Sequence, residues 1–113
     1  MITDVFCKIV SGELSQEGII YQDDDFVVKK DINPQTPIHV IIFPKKHVFG
    51  MHDATAELLG KMMIVADKAA QQLGVAEKGY RLILNEGQHG GKLVPHLHIH
   101  LLGGKNLGSK IVK

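Results

Sequence analysis

Three histidines alternate with aliphatic residues near the end of the chain, in the segment Pro95-His96-Leu97-His98-Ile99-His100-Leu101-Leu102. In a β-strand, side chains two positions apart point to the same face of the sheet. A strand here would place His96, His98 and His100 on one face and aliphatic side chains on the other. The aliphatic face suits a hydrophobic core, whereas three imidazole rings form an array of donors, acceptors and nucleophiles. The pattern therefore predicts a strand whose aliphatic face packs in the core and whose histidine face forms a functional site.

The composition restricts the class of protein. The 113 residues carry a net charge of +1 with histidine neutral, and 44% of them are hydrophobic. These values favour one domain over residues 1–113 and argue against disorder. The balanced charge provides no basic surface for nucleic acid and no polybasic membrane anchor, and no apolar run reaches the roughly 18 residues of a membrane span. The single Cys7 cannot form an internal disulfide, which indicates a reducing compartment, the cytoplasm.

The first half of the chain indicates a short helix followed by three strands. Apolar residues recur at three- and four-residue spacing over residues 3–13, where Thr3 or Asp4 could cap a helix and Gly12 would end it. Strands are expected at residues 18–22, 26–32 and 38–43. The first two strands are joined by an aspartate-rich turn and should form a hairpin.

The second half indicates one long helix and two further strands. Asp53 is expected to cap a helix of roughly 20 residues that ends before Gly74. A fourth strand is expected at residues 80–85, and a glycine-rich loop at residues 86–92 leads into the histidine segment. Strands joined by a loop of this length are expected to pair as antiparallel neighbours.

Two further histidines have ordinary interpretations. His39 lies within the apolar run of the third strand, where a buried histidine is usually a hydrogen-bonded core residue. It gains a functional interpretation only if its strand lies beside the histidine segment. His47 follows Lys45 and Lys46; this basic group could steer phosphate, but a solvated turn is the favoured interpretation.

Three interpretations of the histidine array remain open on the residues alone. In the first, His-x-His spacing places two ring nitrogens on a zinc ion, although the nearby loop supplies no thiolate and only Glu86 as a carboxylate. In the second, the rings bond to one another and to the backbone in a purely structural role. In the third, a neutral imidazole attacks phosphorus while its neighbours fix its tautomer. Backbone N–H groups of Gly87, Gly90 and Gly91 could then approach phosphate oxygens, which favours the third interpretation.

The sequence also resembles a known family. The histidine segment matches the His-φ-His-φ-His-φ-φ signature (φ hydrophobic) of the histidine triad superfamily. Three further segments look like its Hint (histidine triad nucleotide-binding) branch: DVFCKIVSGEL, DINPQTPIHVIIFPKKHV and NEGQHGG. The resemblance runs from about Asp4 to Leu107.

The resemblance implies an α+β fold with a five-stranded antiparallel sheet, one long helix and one short helix. It implies a homodimer in which the sheets of two subunits join. It further implies hydrolysis of purine nucleoside phosphoramidates through a nucleotidyl-histidine at the α-phosphate, with no metal or other cofactor. Dinucleoside polyphosphate hydrolysis, or nucleotide binding with little turnover, is the alternative function.

The resemblance also implies a role for each matching position. His98 would be the nucleophile, while His100 and Asn85 would contact the α-phosphate. His96 and His39 would support and orient the other rings. The remaining positions match a purine nucleotide pocket, with Asp31 on the ribose hydroxyls, the Gly91 N–H on the phosphate, and apolar residues around the base, namely Val5, Phe6, Ile9, Ile32 and Ile41.

Overall fold

A computed structural model describes residues 4–109 and residue 111. Its helices are α1 (Val5–Ser11) and α2 (Ala56–Gln72), and a short 3₁₀ helix (Met51–Asp53) precedes α2. The five strands are β1 (Ile19–Gln22), β2 (Phe26–Lys30), β3 (Ile38–Pro44), β4 (Arg81–Ile83) and β5 (Ile99–Gly103). The expected α+β class, with one long and one short helix, is confirmed.

The strands form one antiparallel sheet in the order β1-β2-β3-β5-β4. β5 therefore lies inside the sheet, between β3 and the edge strand β4. The register pairs Ile41 with His100 and His39 with Leu102. Because directly paired residues point to the same face, His39 and His100 share one side of the sheet.

The face opposite these histidines carries the larger part of the core, which α2 covers. Leu97, Ile99 and Leu101 are almost fully buried there, with Met62 and Ala66 of α2 in the same cluster. α2 buries residues at helical spacing and begins at Thr55, whose side chain accepts from the Leu58 N–H. The predicted burial of the aliphatic face is therefore confirmed.

The histidine face is covered in part by α1. Phe6 and Ile9 of this helix pack with Val27 and Phe43 of the sheet, and the Phe6 and Phe43 rings stack with centroids 4.4 Å apart. Asp4 caps the helix by accepting from the Cys7 N–H at 2.8 Å. Gly12 ends it with φ of 87°, a left-handed conformation that glycine adopts without strain. The alternative cap, Thr3, lies outside the described residues.

Several predicted boundaries are wrong. Asp53 ends the 3₁₀ helix, and the chain is extended again at Ala54 before α2 begins, so Thr55 caps α2 instead. The histidine strand starts only at Ile99, because residues 94–96 form a bend in which the His96 N–H bonds to the Val94 carbonyl. β2 and β4 are also shorter than expected, ending at Lys30 and covering Arg81–Ile83.

Among the described residues, no helix combines the length and the apolar character that crossing a bilayer requires.

Candidate active site

The three histidines of the signature lie in sequence along the face that α1 partly covers. His96 is fully buried, His98 is 6% exposed and His100 is half-buried. The rings of His98 and His100 contact each other edge to face, with centroids 5.3 Å apart. His39 joins them from β3, with its ring centroid 5.1 Å from that of His100. The strand of His39 thus lies beside the histidine segment, which favours a functional interpretation of this residue.

His98 is held in one tautomer by the backbone. Its Nδ1 lies 2.7 Å from the carbonyl oxygen of His96. A carbonyl only accepts, so Nδ1 carries the proton and donates. In the neutral ring, Nε2 then holds an unshared electron pair, and within the described residues it makes no hydrogen bond and is not among the solvent-excluded unpaired atoms. This is the arrangement that a nitrogen nucleophile requires.

The surroundings of His98 favour its neutral form. Burial lowers the pKa of His98 below its ordinary value of 6.5, and the positive charges of Lys92 and His96 act in the same direction. The hydrogen bond to the backbone and the charge of Asp31 oppose this shift without cancelling it. The ring is therefore neutral, and so nucleophilic, at neutral pH.

His100 is oriented by a chain of hydrogen bonds that starts in the loop before β3. The Gln35 N–H donates to Nδ1 of His39 at 3.0 Å, so the neutral His39 ring carries its proton on Nε2. That Nε2 lies 2.9 Å from Nδ1 of His100 and donates to it. The neutral His100 ring then carries its own proton on Nε2, and this N–H is a donor for an anion beside His98.

Asp31 lies at the end of this chain. Its Oδ2 is 3.4 Å from Nε2 of His39 and 3.8 Å from Nδ1 of His100, while its Oδ1 accepts from the Asn33 N–H. The Asp31 side chain is 14% exposed, so its carboxylate remains reachable from solvent.

The apolar residues predicted around the base divide into two groups. Phe6, Ile9 and Ile41 belong to the cluster under α1, where the Phe6 ring contacts His98 with centroids 5.0 Å apart. Val5 is exposed, and Ile32 is 94% exposed in the bend beside Asp31. The structure thus brings three of the five together.

The glycine-rich loop is organised by its own hydrogen bonds. Asn85 donates from its side chain to the Gly90 carbonyl at 2.6 Å, and the Gly91 N–H donates to Gln88. A Cβ on Gly90 would lie 2.1 Å from the Glu86 carbonyl oxygen, so the turn requires glycine at this position. In this conformation the Gly91 N–H is engaged within the loop.

A second polar cluster, not predicted from the sequence, surrounds His96. The ligand atoms of Asp4, Cys7, His47 and His96 lie within 4.8 Å of one another. His47 contacts Asp4 at 3.0 Å and the Cys7 thiol at 3.3 Å, so its interpretation as part of a solvated turn is wrong. Only the Asp4-x-x-Cys7 spacing could have drawn attention to this place, because His47 and His96 join it through the fold.

Among the residues that the structure describes, two groups of side chains are close enough to share a metal ion. The first is the cluster around His96, and the second consists of Asp31, His39 and His100. Hydrogen bonds already relate the members of each group, since Asp4 bonds to its neighbours and His39 bonds to His100.

Comparison with known proteins places this arrangement in a family. The HIT domain family matches residues 13–107. The purine nucleoside phosphoramidase of Escherichia coli (strain K12) is 47% identical over 107 residues, which cover 92% of this chain and 89% of that protein.

Two solved structures extend the comparison to the fold. A HIT family hydrolase from Clostridium thermocellum Cth-393 is 45% identical, covers 99% of both chains and superposes with a TM-score of 0.93. A HIT family hydrolase from Legionella pneumophila Philadelphia 1 is 40% identical, with a TM-score of 0.88 over 94% of this chain and 96% of that one. The chain belongs to the HIT domain family.

Proposed function

We propose that this protein hydrolyses purine nucleoside phosphoramidates, with His98 as the nucleophile at the α-phosphorus. The observation that carries the proposal is the hydrogen bond from His98 Nδ1 to the His96 carbonyl, which leaves Nε2 free. The 47% identity to a purine nucleoside phosphoramidase supports the choice of substrate class.

The reaction proceeds in two displacements. Nε2 of His98 attacks the α-phosphorus, a P–N bond to His98 forms, and the P–N bond to the amine breaks as the amine leaves with a proton taken from solvent. Water then attacks the same phosphorus and gives up a proton to solvent, the bond to His98 breaks with its electron pair returning to Nε2, and the nucleoside monophosphate is released. The Nε2–H of His100 stabilises the charge that develops on the phosphoryl oxygens. No step requires a metal ion or other cofactor.

The positions of the remaining residues support the substrate contacts that we propose. The half-buried Asp31 carboxylate accepts from the ribose hydroxyls, and the exposed Ile32 beside it contributes to the base pocket together with Val5 and the apolar residues under α1. Asn85 and the Gly91 N–H bind the α-phosphate, which requires the glycine-rich loop to exchange internal hydrogen bonds for the ligand.

A direct test compares turnover of adenosine 5′-phosphoramidate by the wild type and by His98→Ala. Turnover by the variant should fall by a factor of about 10³ or more, because the nucleophile is removed. The variant should still be folded and should unfold in urea in one cooperative transition, as the wild type does. His52→Ala is the matched control, since His52 is exposed in the 3₁₀ helix and should leave turnover unchanged. Full activity in His98→Ala would contradict the proposal.

The same assay discriminates between the alternative functions. Rapid quenching of the wild-type reaction should trap a nucleotide bound covalently to His98, detectable by mass spectrometry. A faster reaction with a dinucleoside tetraphosphate would instead identify a polyphosphate hydrolase. Tight binding of AMP without turnover or adduct would identify a binding module.

We also propose that the chain forms a homodimer through the β4 edge of its sheet. Within the described part of the chain, β4 pairs only with β5, and Tyr80 just before it donates to Asp67 of α2. Met63 and Ile64 lie one helical turn from Asp67, so these exposed apolar side chains border the same edge. An unpaired strand edge beside apolar surface supports pairing with a second copy.

Sedimentation at micromolar concentration tests the dimer. The wild type should sediment as a dimer, and Ile64→Asp should shift it towards monomer by burying a charge. Leu14→Asp, which adds the same charge at another exposed apolar residue, should leave the dimer intact. A monomeric wild type would contradict this part of the proposal.

A cytoplasmic location completes the proposal, on the basis of the free thiol of Cys7. Fractionation of cells that express the tagged full chain tests it, and recovery of the protein from an oxidising compartment would argue against it.

A further inference from the structure

His96 is held through its ring as well as through its backbone. Its Nε2 donates to the Pro44 carbonyl at 2.8 Å, and its Nδ1 lies 3.0 and 3.2 Å from the two oxygens of Asp4. β5 begins only at Ile99, so among the described residues the backbone of His96 lies outside the sheet ladder, and its backbone is held by the His96 N–H bond to Val94 and, in the next peptide, by the Leu97 N–H bond to Val48. The partners of the ring therefore share with these two backbone bonds in fixing the position of His96.

Asp4 joins the start of α1 to this ring. Its side chain accepts from the Cys7 N–H as a helix cap, and it contacts Nδ1 of both His47 and His96 at 3.0 Å. Asp4 is itself only 8% exposed. Burial alone would raise the pKa of Asp4, but the Cys7 N–H and the charge of His96 outweigh this effect and hold it below its ordinary value. The carboxylate is thus ionised and engaged at neutral pH.

His96 in turn controls His98. The His96 carbonyl accepts from Nδ1 of His98 at 2.7 Å, and this bond selects the tautomer with a free Nε2. A displaced His96 would move the carbonyl and leave either nitrogen of His98 able to carry the proton. The three residues therefore form a connected series from the N-terminus of α1 to the nucleophile.

We propose that Asp4 is a positioning residue for His98, because it anchors the His96 ring and so fixes the carbonyl that accepts from His98 Nδ1. This inference rests on the proposed function, since it concerns His98 as the nucleophile. The described contacts of Asp4 do not include His98, so its proposed effect on the nucleophile passes through His96.

Two substitutions separate this role from helix capping. Asp4→Ser retains a good N-cap residue, but its hydroxyl is one bond too short to reach Nδ1 of His96. Asp4→Asn retains both the cap and a side chain long enough for that contact, because an amide can donate to Nδ1 or accept from it. Thr55→Ala removes the cap of α2, remote from the histidines, and controls for a general loss of stability.

The expected result is a loss of turnover in Asp4→Ser that Asp4→Asn largely restores. In Asp4→Ser, kcat for adenosine 5′-phosphoramidate should fall about tenfold to a hundredfold with KM within about twofold, as displacement of a reacting group predicts. Thr55→Ala should keep kcat unchanged. Equal kcat values in the wild type and Asp4→Ser would overturn the inference, as would an equal loss in Asp4→Ser and Asp4→Asn.

The ¹⁵N spectrum of the histidine rings provides a readout that is independent of turnover. The wild type and Asp4→Asn should show His98 protonated at Nδ1 alone at neutral pH, whereas Asp4→Ser should show a mixture of both tautomers. Should the wild type lack phosphoramidase activity, the proposed function fails, yet this change in tautomer would still support the role of Asp4. An unchanged His98 spectrum in Asp4→Ser refutes the role of Asp4 alone. A stoichiometric metal in the purified wild type, lost in Asp4→Ser, also overturns the inference, since His96 Nδ1 would then be a metal ligand.

Discussion

Acid should destabilise this fold through the same histidines that form the proposed active site. The pKa values of His98 and His100 are both below 6.5, in each case chiefly because of burial. Between the lowered folded value and 6.5, these rings are neutral in the folded chain but protonated in the unfolded chain. The unfolded state therefore binds more protons, and the free energy of unfolding falls as the pH is lowered through this window.

The magnitude follows from the number of such rings. Each contributes a slope of at most about 1.4 kcal/mol per pH unit, so the two together contribute up to about 2.7 kcal/mol per pH unit. Asp4 adds no slope in this window, because its pKa is lowered from 3.8: the stability it contributes is fully present above 3.8 and is lost only as the pH falls below that value. The stability contributed by the neutral rings is fully present above 6.5 and is lost as the pH falls towards the folded pKa.

Urea unfolding at a series of pH values from 8 to 5, at one protein concentration, measures this slope. His98→Asn cannot titrate and should flatten the slope by up to about 1.4 kcal/mol per pH unit. His52→Asn should leave the slope unchanged, because His52 is exposed. Parallel curves of the free energy of unfolding against pH for the wild type and His98→Asn would refute the reasoning.

In wild-type kinetics, kcat/KM should be flat above pH 6.5 and fall in acid, as His98 takes up a proton.

Three substitutions separate the stability of the fold from substrate binding. Gly60→Ala should raise the free energy of unfolding by about 1 kcal/mol in urea, because glycine is unfavourable within a helix and a Cβ there meets nothing within 4 Å. Gly90→Ala should instead reduce turnover, because the added Cβ would collide with the Glu86 carbonyl and displace the loop; unchanged kinetics would contradict this. Asp31→Asn should raise KM for a ribonucleotide substrate more than it lowers kcat, with little further loss for the 2′-deoxy substrate, and steady-state assays with both substrates measure the difference.

The faces of the histidine segment could be predicted because they depend on a local rule. Alternation in an extended chain places Leu97, Ile99 and Leu101 in the core whatever the rest of the fold does. The start of α2 could not be assigned in this way, because Asp53 and Thr55 are both good helix caps two residues apart. The choice depends on the 3₁₀ helix that includes Asp53, and such a short helix has no distinctive sequence pattern.

The cluster around His96 was missed for a different reason. Asp4 and His96 are 92 positions apart, and they meet only because α1 packs on the face of the sheet where β3 ends. No residue near His47 in the sequence indicates that its ring contacts Asp4 and Cys7 and is partly buried. Similarly, His39 and His100 are neighbours because β3 pairs with β5. The order of the strands in the sequence does not reveal this pairing.

Because one segment serves both the core and the site, substitutions at adjacent positions should have separate effects. Leu101 is fully buried on the α2 side, whereas His100 next to it faces the site. Leu101→Ala should lower the free energy of unfolding by about 2–5 kcal/mol, because it leaves a cavity in packed surroundings. Turnover per folded molecule should change little, since β5 remains paired on both sides and holds His100 in register. Urea unfolding and an active-site titration measure the two effects independently. If Leu101→Ala lowered kcat per folded molecule as strongly as a substitution of His100, the two faces of the strand would not be energetically separate, and the division of the segment into core and site would be wrong.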